Sequence, residues 1–213
     1  SRNQEKWGAN YINFWDELSF HKLDTTERFL DELIAADLGI HFTAAIRTDL
    51  FGKPERSYED RLAVAMKMRR AGGLVMGYSL ESADDDILEA MNKRVKAAYF
   101  VEQVRILNEA QILSKTSLVF GYPNETKETI KKTLDFCYDN DIYPSSGFLL
   151  PMPSTGMYEH ALTNGLITDE DHYLTNMTER QDIVLNMTAM TDEEMLSEVK
   201  QGMQRINDKL ELN

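Results

Sequence analysis

Glu81 and Ser82 close the hydrophobic run GLVMGYSLES at residues 73–82, and Asp84, Asp85 and Asp86 follow at once. A carboxylate at the mouth of a strand can accept hydrogen bonds from ligand hydroxyls or an ammonium group, and ligands of parallel α/β folds sit at the carboxyl ends of strands. Polar residues also stand at the ends of the other strand-like runs: Asp16 and Glu17 after the first, Arg47 and Asp49 after the second, Gly121, Tyr122 and Pro123 after the fourth, and Pro151, Pro153, Ser154 and Thr155 after the fifth. On one rim, four carboxylates, one guanidinium and several small hydroxyls suit a zwitterionic or polyhydroxylated small molecule. The guanidinium could clamp a carboxylate in a bidentate fork.

These residues also have plainer readings. Acids in a first helical turn cap free N–H groups and favour the positive end of the helix dipole, which accounts for Ser82 with Asp84, Asp85 and Asp86 without any ligand. Glu81 stands apart, because it still belongs to the apolar run and precedes the cap, so it reads as a ligand residue. Arg47 with Asp49 fits a salt-bridged loop pair as well as a binding pair, and Asp16 with Glu17 stays equally open. His21, His41, His160 and His172 show no metal-ligand spacing, and Met66, Met68, Met76 and Met91 fall at core spacing. Phosphate loops of the GxGxxG or GxxxxGK type are absent.

The runs that must position these side chains are YINFWDELSF (11–20), IHFTAAIRTD (40–49), GLVMGYSLES, SKTSLVFGYP (114–123) and IYPSSGFLLPMPST (142–155), all read as strands. Amphipathic segments separate them. TTERFLDELIAADLG carries Phe29, Leu30, Leu33 and Ile34 on one face, with Asp24 and Glu27 as cap and N3 acid and Gly39 at its end. SYEDRLAVAMKMRRAGG starts at Ser57 and Asp60 and stops at Gly72 and Gly73, and AAYFVEQVRILNEAQI and TKETIKKTLDFCYDND supply the next crossovers. Strand and helix alternate every 30 to 40 residues or so, roughly the βαβ rhythm. The expected fold is α/β: an incomplete (βα) partial TIM-type barrel of about five parallel strands with outer helices over residues 1–165. A helical C-terminal extension follows over 166–213, its last helix opened by a Thr191–Glu194 capping box.

Composition narrows the partners. The 213 residues are 42% hydrophobic and 28% charged, an ordinary globular mixture, and the net charge of −13 opposes binding to nucleic acid or anionic membrane. Cys137 is the sole cysteine and lies on the helix face of Ile130 and Leu134, so it reads as a packed core thiol. The Asn-x-Thr triplets at Asn124, Asn176 and Asn186 come with neither a signal peptide nor a membrane-length apolar run, and a cytoplasmic location is expected.

INFWDELSF, AAIRTDL, GYSLESADDDILEAMNK, LVFGYPNETKETIKKTLDF and LLPMPSTGMYEHALTNGLITDEDHYL occur in the order and near the spacing of radical S-adenosylmethionine enzymes. The chain resembles in particular the subgroup with an N-terminal cobalamin-binding domain, which includes anaerobic magnesium-protoporphyrin ester cyclase relatives and cobalamin-dependent methyltransferases. The resemblance spans about residues 8 to 175. It implies a six-stranded partial barrel whose first strand leads to a CxxxCxxC loop binding a [4Fe–4S] cluster, and a reaction that forms a 5′-deoxyadenosyl radical or transfers methyl. It would put Glu81 and Ser82 at the ribose or amino-acid moiety of S-adenosylmethionine, Arg47 near the carboxylate, and Asp16 and Glu17 at the open end as candidate catalytic residues. Gly121, Tyr122 and Pro123 would stand on the adenine side, and the Pro151 to Thr155 loop on the substrate side.

CxxxCxxC is missing, so by this resemblance the chain is the C-terminal part of a longer protein, inactive alone and with no cofactor tightly bound. S-adenosylmethionine, the cluster and cobalamin would belong to the full-length protein. The upstream region and a small-molecule substrate are the expected partners, and an unpaired sheet edge invites self-association. PNET and PMPSTGMY also replace commoner glycine turns with Asn124 and Ser154. Two other readings compete: a βα-barrel hydrolase or lyase using Glu17 and Glu81 as a carboxylate pair, and a noncatalytic scaffold in which the rim acids are only caps.

Overall fold

A computed structural model of the chain describes residues 2–211. In chain order the elements are α1 (Arg2–Trp7), β1 (Tyr11–Asn13), α2 (Leu23–Ala36), β2 (His41–Ala45), α3 (Tyr58–Arg70), β3 (Gly73–Glu81), α4 (Asp85–Ala90), α5 (Ala97–Glu109), β4 (Leu113–Phe120), α6 (Lys127–Asp139), β5 (Ser145–Phe148), α7 (Gly156–Thr163), α8 (Glu170–Thr175) and α9 (Asp192–Lys209). The strands follow one another in the order β1-β2-β3-β4-β5, and β1–β2, β2–β3 and β4–β5 pair in parallel. This is the consecutive βα succession expected of a segment of a (βα) barrel. No helix among the described residues is long and apolar enough to cross a membrane.

The chain packs as two compact units, Ser1–Leu80 with Val95–Thr116, and Glu81–Arg94 with Ser117–Asn213. The division runs through β4. Residues 166–211 therefore belong with β5 and α6.

In the first unit, β1 is three residues long where a run over 11–20 was expected. After Asn13 the chain leaves the ladder because Phe14 joins an aromatic cluster, its ring centroid 6.2 Å from Phe20, 6.1 Å from Phe29 and 5.6 Å from Phe42. Ladder pairing resumes only as a single bridge between Phe20 and Ile46. The start of α2 also differs from expectation. Its N-cap position is Lys22 without a side-chain cap, and Asp24 and Glu27 instead receive Arg56 at 2.5 and 2.8 Å. Lys67 reaches Glu27 at 2.9 Å, and the left-handed closing residue is Asp37, ahead of Gly39. Helix α3 starts as read, Ser57 accepting the Asp60 N–H at 3.1 Å. Arg61, 3% exposed, donates to the Phe51 carbonyl at 2.7 Å and pairs with Glu102 at 2.8 Å, fastening the 51–57 loop to α5. Met66 is half exposed, contrary to its core reading, whereas Met68 and Met76 are fully buried.

In the second unit, β5 is confined to Ser145–Phe148, much shorter than the run read over 142–155. Its outer neighbour is the main chain of the C-terminal extension: the Phe148 N–H donates to the Arg180 carbonyl at 2.6 Å, and Arg180 backbone atoms would crowd any Cβ on Gly147. Helix α6 buries Ile130, Leu134 and Cys137 on one face, as read. Burial pushes the Cys137 thiol up to about 12. Helix α9 packs against α6 and buries Met195, Val199, Gly202 and Ile206, with the expected Thr191–Glu194 capping box at its start. The pair is framed by Lys127–Glu194 and Lys209–Asp141 ion pairs at 2.8 Å each and by Arg205 with Asp135.

Two substitutions test this packing in opposite directions. At Gly52 an added Cβ would lie 1.7 Å from the Tyr99 carbonyl oxygen. The neighbour is backbone and cannot swing aside, so Gly52→Ala is expected to destabilise by about 3 kcal/mol or more. Ser154 holds φ at 68°, whereas Asn124 is not left-handed. Ser154→Gly should therefore stabilise by about 0.5–1 kcal/mol. Urea unfolding of both variants checks the signs, and a stable Gly52→Ala protein would contradict the close approach.

Candidate functional site

Glu81 ends β3 with φ at 68°, a left-handed conformation that is costly for a residue with a Cβ, because the Cβ crowds the carbonyl oxygen. The twist turns its carboxylate toward the end of α4. There Asn92 takes φ 53° and the Lys93 N–H donates back to the Leu88 carbonyl at 2.8 Å, which brings Lys93 around to Glu81. Lys93 Nζ meets Glu81 Oε1 at 2.5 Å, both side chains about three-quarters covered. Glu81 Oε2 is buried and has no hydrogen-bond partner. An acceptor oxygen in that state costs free energy unless a ligand donor satisfies it.

Glu81 and Lys93 line a cavity of about 190 Å³ with Met91, Val119, Tyr122, Leu149 and Arg180. Val119 and Leu149 come from β4 and from just beyond β5, supplying an apolar floor. Tyr122 is half-buried, and burial raises its phenol, with the Glu81 charge adding to the rise and Arg180 opposing it.

The loop that carries Tyr122 and Pro123 is held from beneath by Glu125. Gly121 takes φ 103°, which frees its N–H to donate to Glu125 Oε2 at 3.0 Å. Glu125 Oε1 accepts from the Thr129 hydroxyl at 3.0 Å, and the Glu125 N–H donates to the Tyr122 carbonyl at 2.8 Å. The side chain is only 2% exposed, and that burial pushes its carboxyl up to about 7.

Other residues singled out in the sequence take varied places. Ser82 is buried, its hydroxyl 3.1 Å from that of Thr133 and accepting the Asp84 N–H at 3.1 Å, so it ties the end of β3 to α6. The α4 cap is Asp84, which accepts from the N–H groups of Asp86 and Ile87 and pairs with Lys132 at 2.8 Å. Pro151 is buried and its carbonyl accepts from the Tyr173 hydroxyl at 2.8 Å. In the first unit Arg47 forks onto Asp49, Nε to Oδ1 at 2.6 Å and Nη2 to Oδ2 at 3.1 Å, while Asp16 and Glu17 are exposed in the loop after β1. Glu81 and Tyr122 are thus the two sequence candidates brought together in the cavity.

Lys93, Arg180 and Glu125 were missed. Lys93 and Glu125 lay inside quoted motifs, ILEAMNK and GYPNET, and the signal was there to be used. Arg180 carries no local sequence signal. Met91, read as packing, lines the cavity.

A [4Fe–4S] cluster does not fit the residues present: no metal-holding group of three His, Cys, Asp or Glu exists among the described residues, and the one thiol is buried on α6. What the cavity does offer is an acceptor without a donor, the buried Glu81 oxygen.

The Glu125 clamp predicts a pH dependence. An ordinary carboxyl titrates near 4.5 and this one near 7 when folded, so the fold favours its protonated form. The associated stability is complete below about 4.5 and is lost as pH rises through about 7, up to about 3 kcal/mol in all. Denaturant unfolding at pH 5 and pH 8 should show that loss in the wild type and a smaller loss in Glu125→Gln, whose amide can accept from Gly121; equal losses would show that Glu125 does not carry the effect.

With this geometry in place, comparison with known proteins places the chain. The model of the Radical SAM superfamily matches residues 21–137, over half of the sequence. An uncharacterised methyltransferase of Pyrococcus horikoshii is 28% identical over 167 residues, 76% of this chain and 34% of that protein. The bacteriochlorophyllide d C-12(1)-methyltransferase of Chlorobaculum tepidum is 28% identical over 180 residues, 81% of this chain and 37% of that protein. The chain spans about a third of the length of these curated relatives. Among solved structures, the radical S-adenosylmethionine methyltransferase TsrM of Kitasatospora setae, with cobalamin and a [4Fe–4S] cluster bound, shares the fold at a TM-score of 0.59, with 18% identity over 78% of this chain and 33% of that one. The matched region takes in β2, β3, β4 and the Glu81 cavity's Lys93 and Tyr122, and the chain belongs to the Radical SAM superfamily.

Proposed function

We propose that this chain forms the S-adenosylmethionine-binding part of a cobalamin-linked radical methyltransferase or oxidoreductase. The observation that carries this reading is Glu81, held in a left-handed conformation so that one carboxylate oxygen pairs with Lys93 and the other is left buried without a donor in the cavity. When bound, S-adenosylmethionine supplies an adenosyl radical or a methyl group to the reaction. This chain's own residues bind and orient it. Glu81 Oε2 accepts from a ribose hydroxyl or the ammonium group, Lys93 aims the carboxylate, and Val119, Leu149 and Met91 exclude water from the adenosyl portion. The buried Glu125 fixes the height of Tyr122 at the cavity wall.

The sequence similarity to two proteins named as methyltransferases supports group transfer, and the cobalamin in the TsrM structure supports the cobalamin link. No metal-holding group lies among the described residues, so this reading assigns them the binding and orientation of S-adenosylmethionine and leaves the cluster to other residues of the full-length protein.

Isothermal titration of the chain with S-adenosylmethionine tests the reading. Glu81→Gln should weaken binding about tenfold or more, since it removes a charged acceptor. Its melting temperature should change little, because Lys93 can still bond to the amide oxygen. Equal affinity in the two proteins would remove Glu81 from the site and return it to the role of a structural partner for Lys93.

A further inference from the structure

A second hollow lies in the same unit as the Glu81 cavity and shares no residue with it. It is a cleft of about 470 Å³ between α8 and the segment that leads from α8 toward α9, a size that holds a small ligand. Its base is apolar: Ile167 and Tyr173 belong to a buried cluster, and Val184 and Leu185 pack against that cluster. Hydrogen bonds within the protein fix each side. The Tyr173 hydroxyl donates to the Pro151 carbonyl at 2.8 Å, and the Asn176 amide donates to the His172 carbonyl at 2.8 Å. Across the cleft, the Asp182 N–H donates to the Glu179 carbonyl at 3.2 Å and the Asn186 amide to the Met190 carbonyl at 2.8 Å. The walls are therefore built before any ligand enters, and filling the cleft costs little ordering.

The polar lining carries one sign of charge. Asp169 and Asp182 stand there with Thr168, Asn176 and Thr178, and no Lys or Arg among the described residues lines the cleft. One oxygen of Asp169 accepts the His172 N–H at 2.9 Å, which leaves the other for a ligand, and the Asp182 carboxylate has no partner among the described residues. An apolar base beneath carboxylates matches a hydrocarbon or aromatic body that bears a protonated amine, whereas an anion would meet two like charges. We propose that this cleft is a second small-molecule site and that it takes an amphipathic cation, with the apolar body on Tyr173, Val184 and Leu185 and the ammonium group at Asp182 and Asp169. The proposal does not rest on the reading of the Glu81 cavity and stands whether or not that cavity holds an adenosyl compound.

The test titrates the full chain at low salt with phenethylamine, phenethyl alcohol and phenylpropionate, which present one aromatic body with a positive, a neutral and a negative head. Methyl NMR signals of Val184 and Leu185 locate the binding. Phenethylamine should bind most tightly and phenylpropionate least, each shifting those methyls. Asp182→Asn should weaken phenethylamine about three- to tenfold and leave phenethyl alcohol unchanged. Asp182→Lys should reverse the order of the amine and the acid. Asp182 is exposed, so neither variant disturbs the core. Equal affinity for the three probes, phenethylamine binding that Asp182→Lys leaves intact, or no shift at Val184 and Leu185 overturns the proposal. Dimerisation that Asp182→Lys abolishes, with no binding of phenethylamine, would give the cleft to a second copy of the chain and overturn the small-molecule assignment.

Discussion

The left-handed turn at Glu81 is the constraint on which the cavity depends. A strand that continued in extended conformation would point residue 81 along the pleat; a positive φ swings the carboxylate out of the ladder at a cost of about 1–3 kcal/mol. Such a conformation persists only if its surroundings over-determine it. Here they do so twice, through the Lys93 ion pair on the side chain and through Ser82 and Thr133, whose linked hydroxyls hold the next residue against α6. The short helix α4 is thus a device for returning a lysine to the carboxylate that precedes it.

Support for the cavity follows a consistent pattern in which buried polar groups replace apolar packing where the chain must turn. Glu125 lies under the Gly121–Tyr122 loop with both carboxylate oxygens engaged, and Tyr173 holds the carbonyl of Pro151 in the next loop. Helix α9 closes over α6, where Gly202 allows the two helices to approach and Leu134 fills the space a side chain would have taken. The extension is therefore part of the scaffold of the second unit: it covers α6, extends the β5 edge and contributes to the cavity wall.

Much of this was legible in the sequence, for identifiable reasons. Period and punctuation gave the alternation of strands and helices and the Ser57 and Thr191 caps, because those signals are local. The interruption of Glu81 at the end of an apolar run marked it as more than a cap. Strand lengths were overstated at β1 and β5, since an aromatic residue such as Phe14 scores alike whether it pairs in a ladder or packs in a ring cluster. Asp24 looked like a cap because its competitor, Arg56, is 32 residues away. Arg180 was invisible for the same reason: its significance arises only when the segment after α8 is laid along β5, and no local pattern encodes that.

The isolation of Cys137 has a consequence for how the molecule can be observed. Buried on α6, with a thiol that burial pushes up to about 12, it is essentially never a thiolate at neutral pH. In chemical terms this stretch of chain behaves as though it had no cysteine. A single thiol introduced at an exposed position, such as Ser154, would be the one thiol of this chain open to alkylation. A fluorophore or spin label carried there would report on the loop after β5 against a background silent in this chain, with no need to replace the buried native residue.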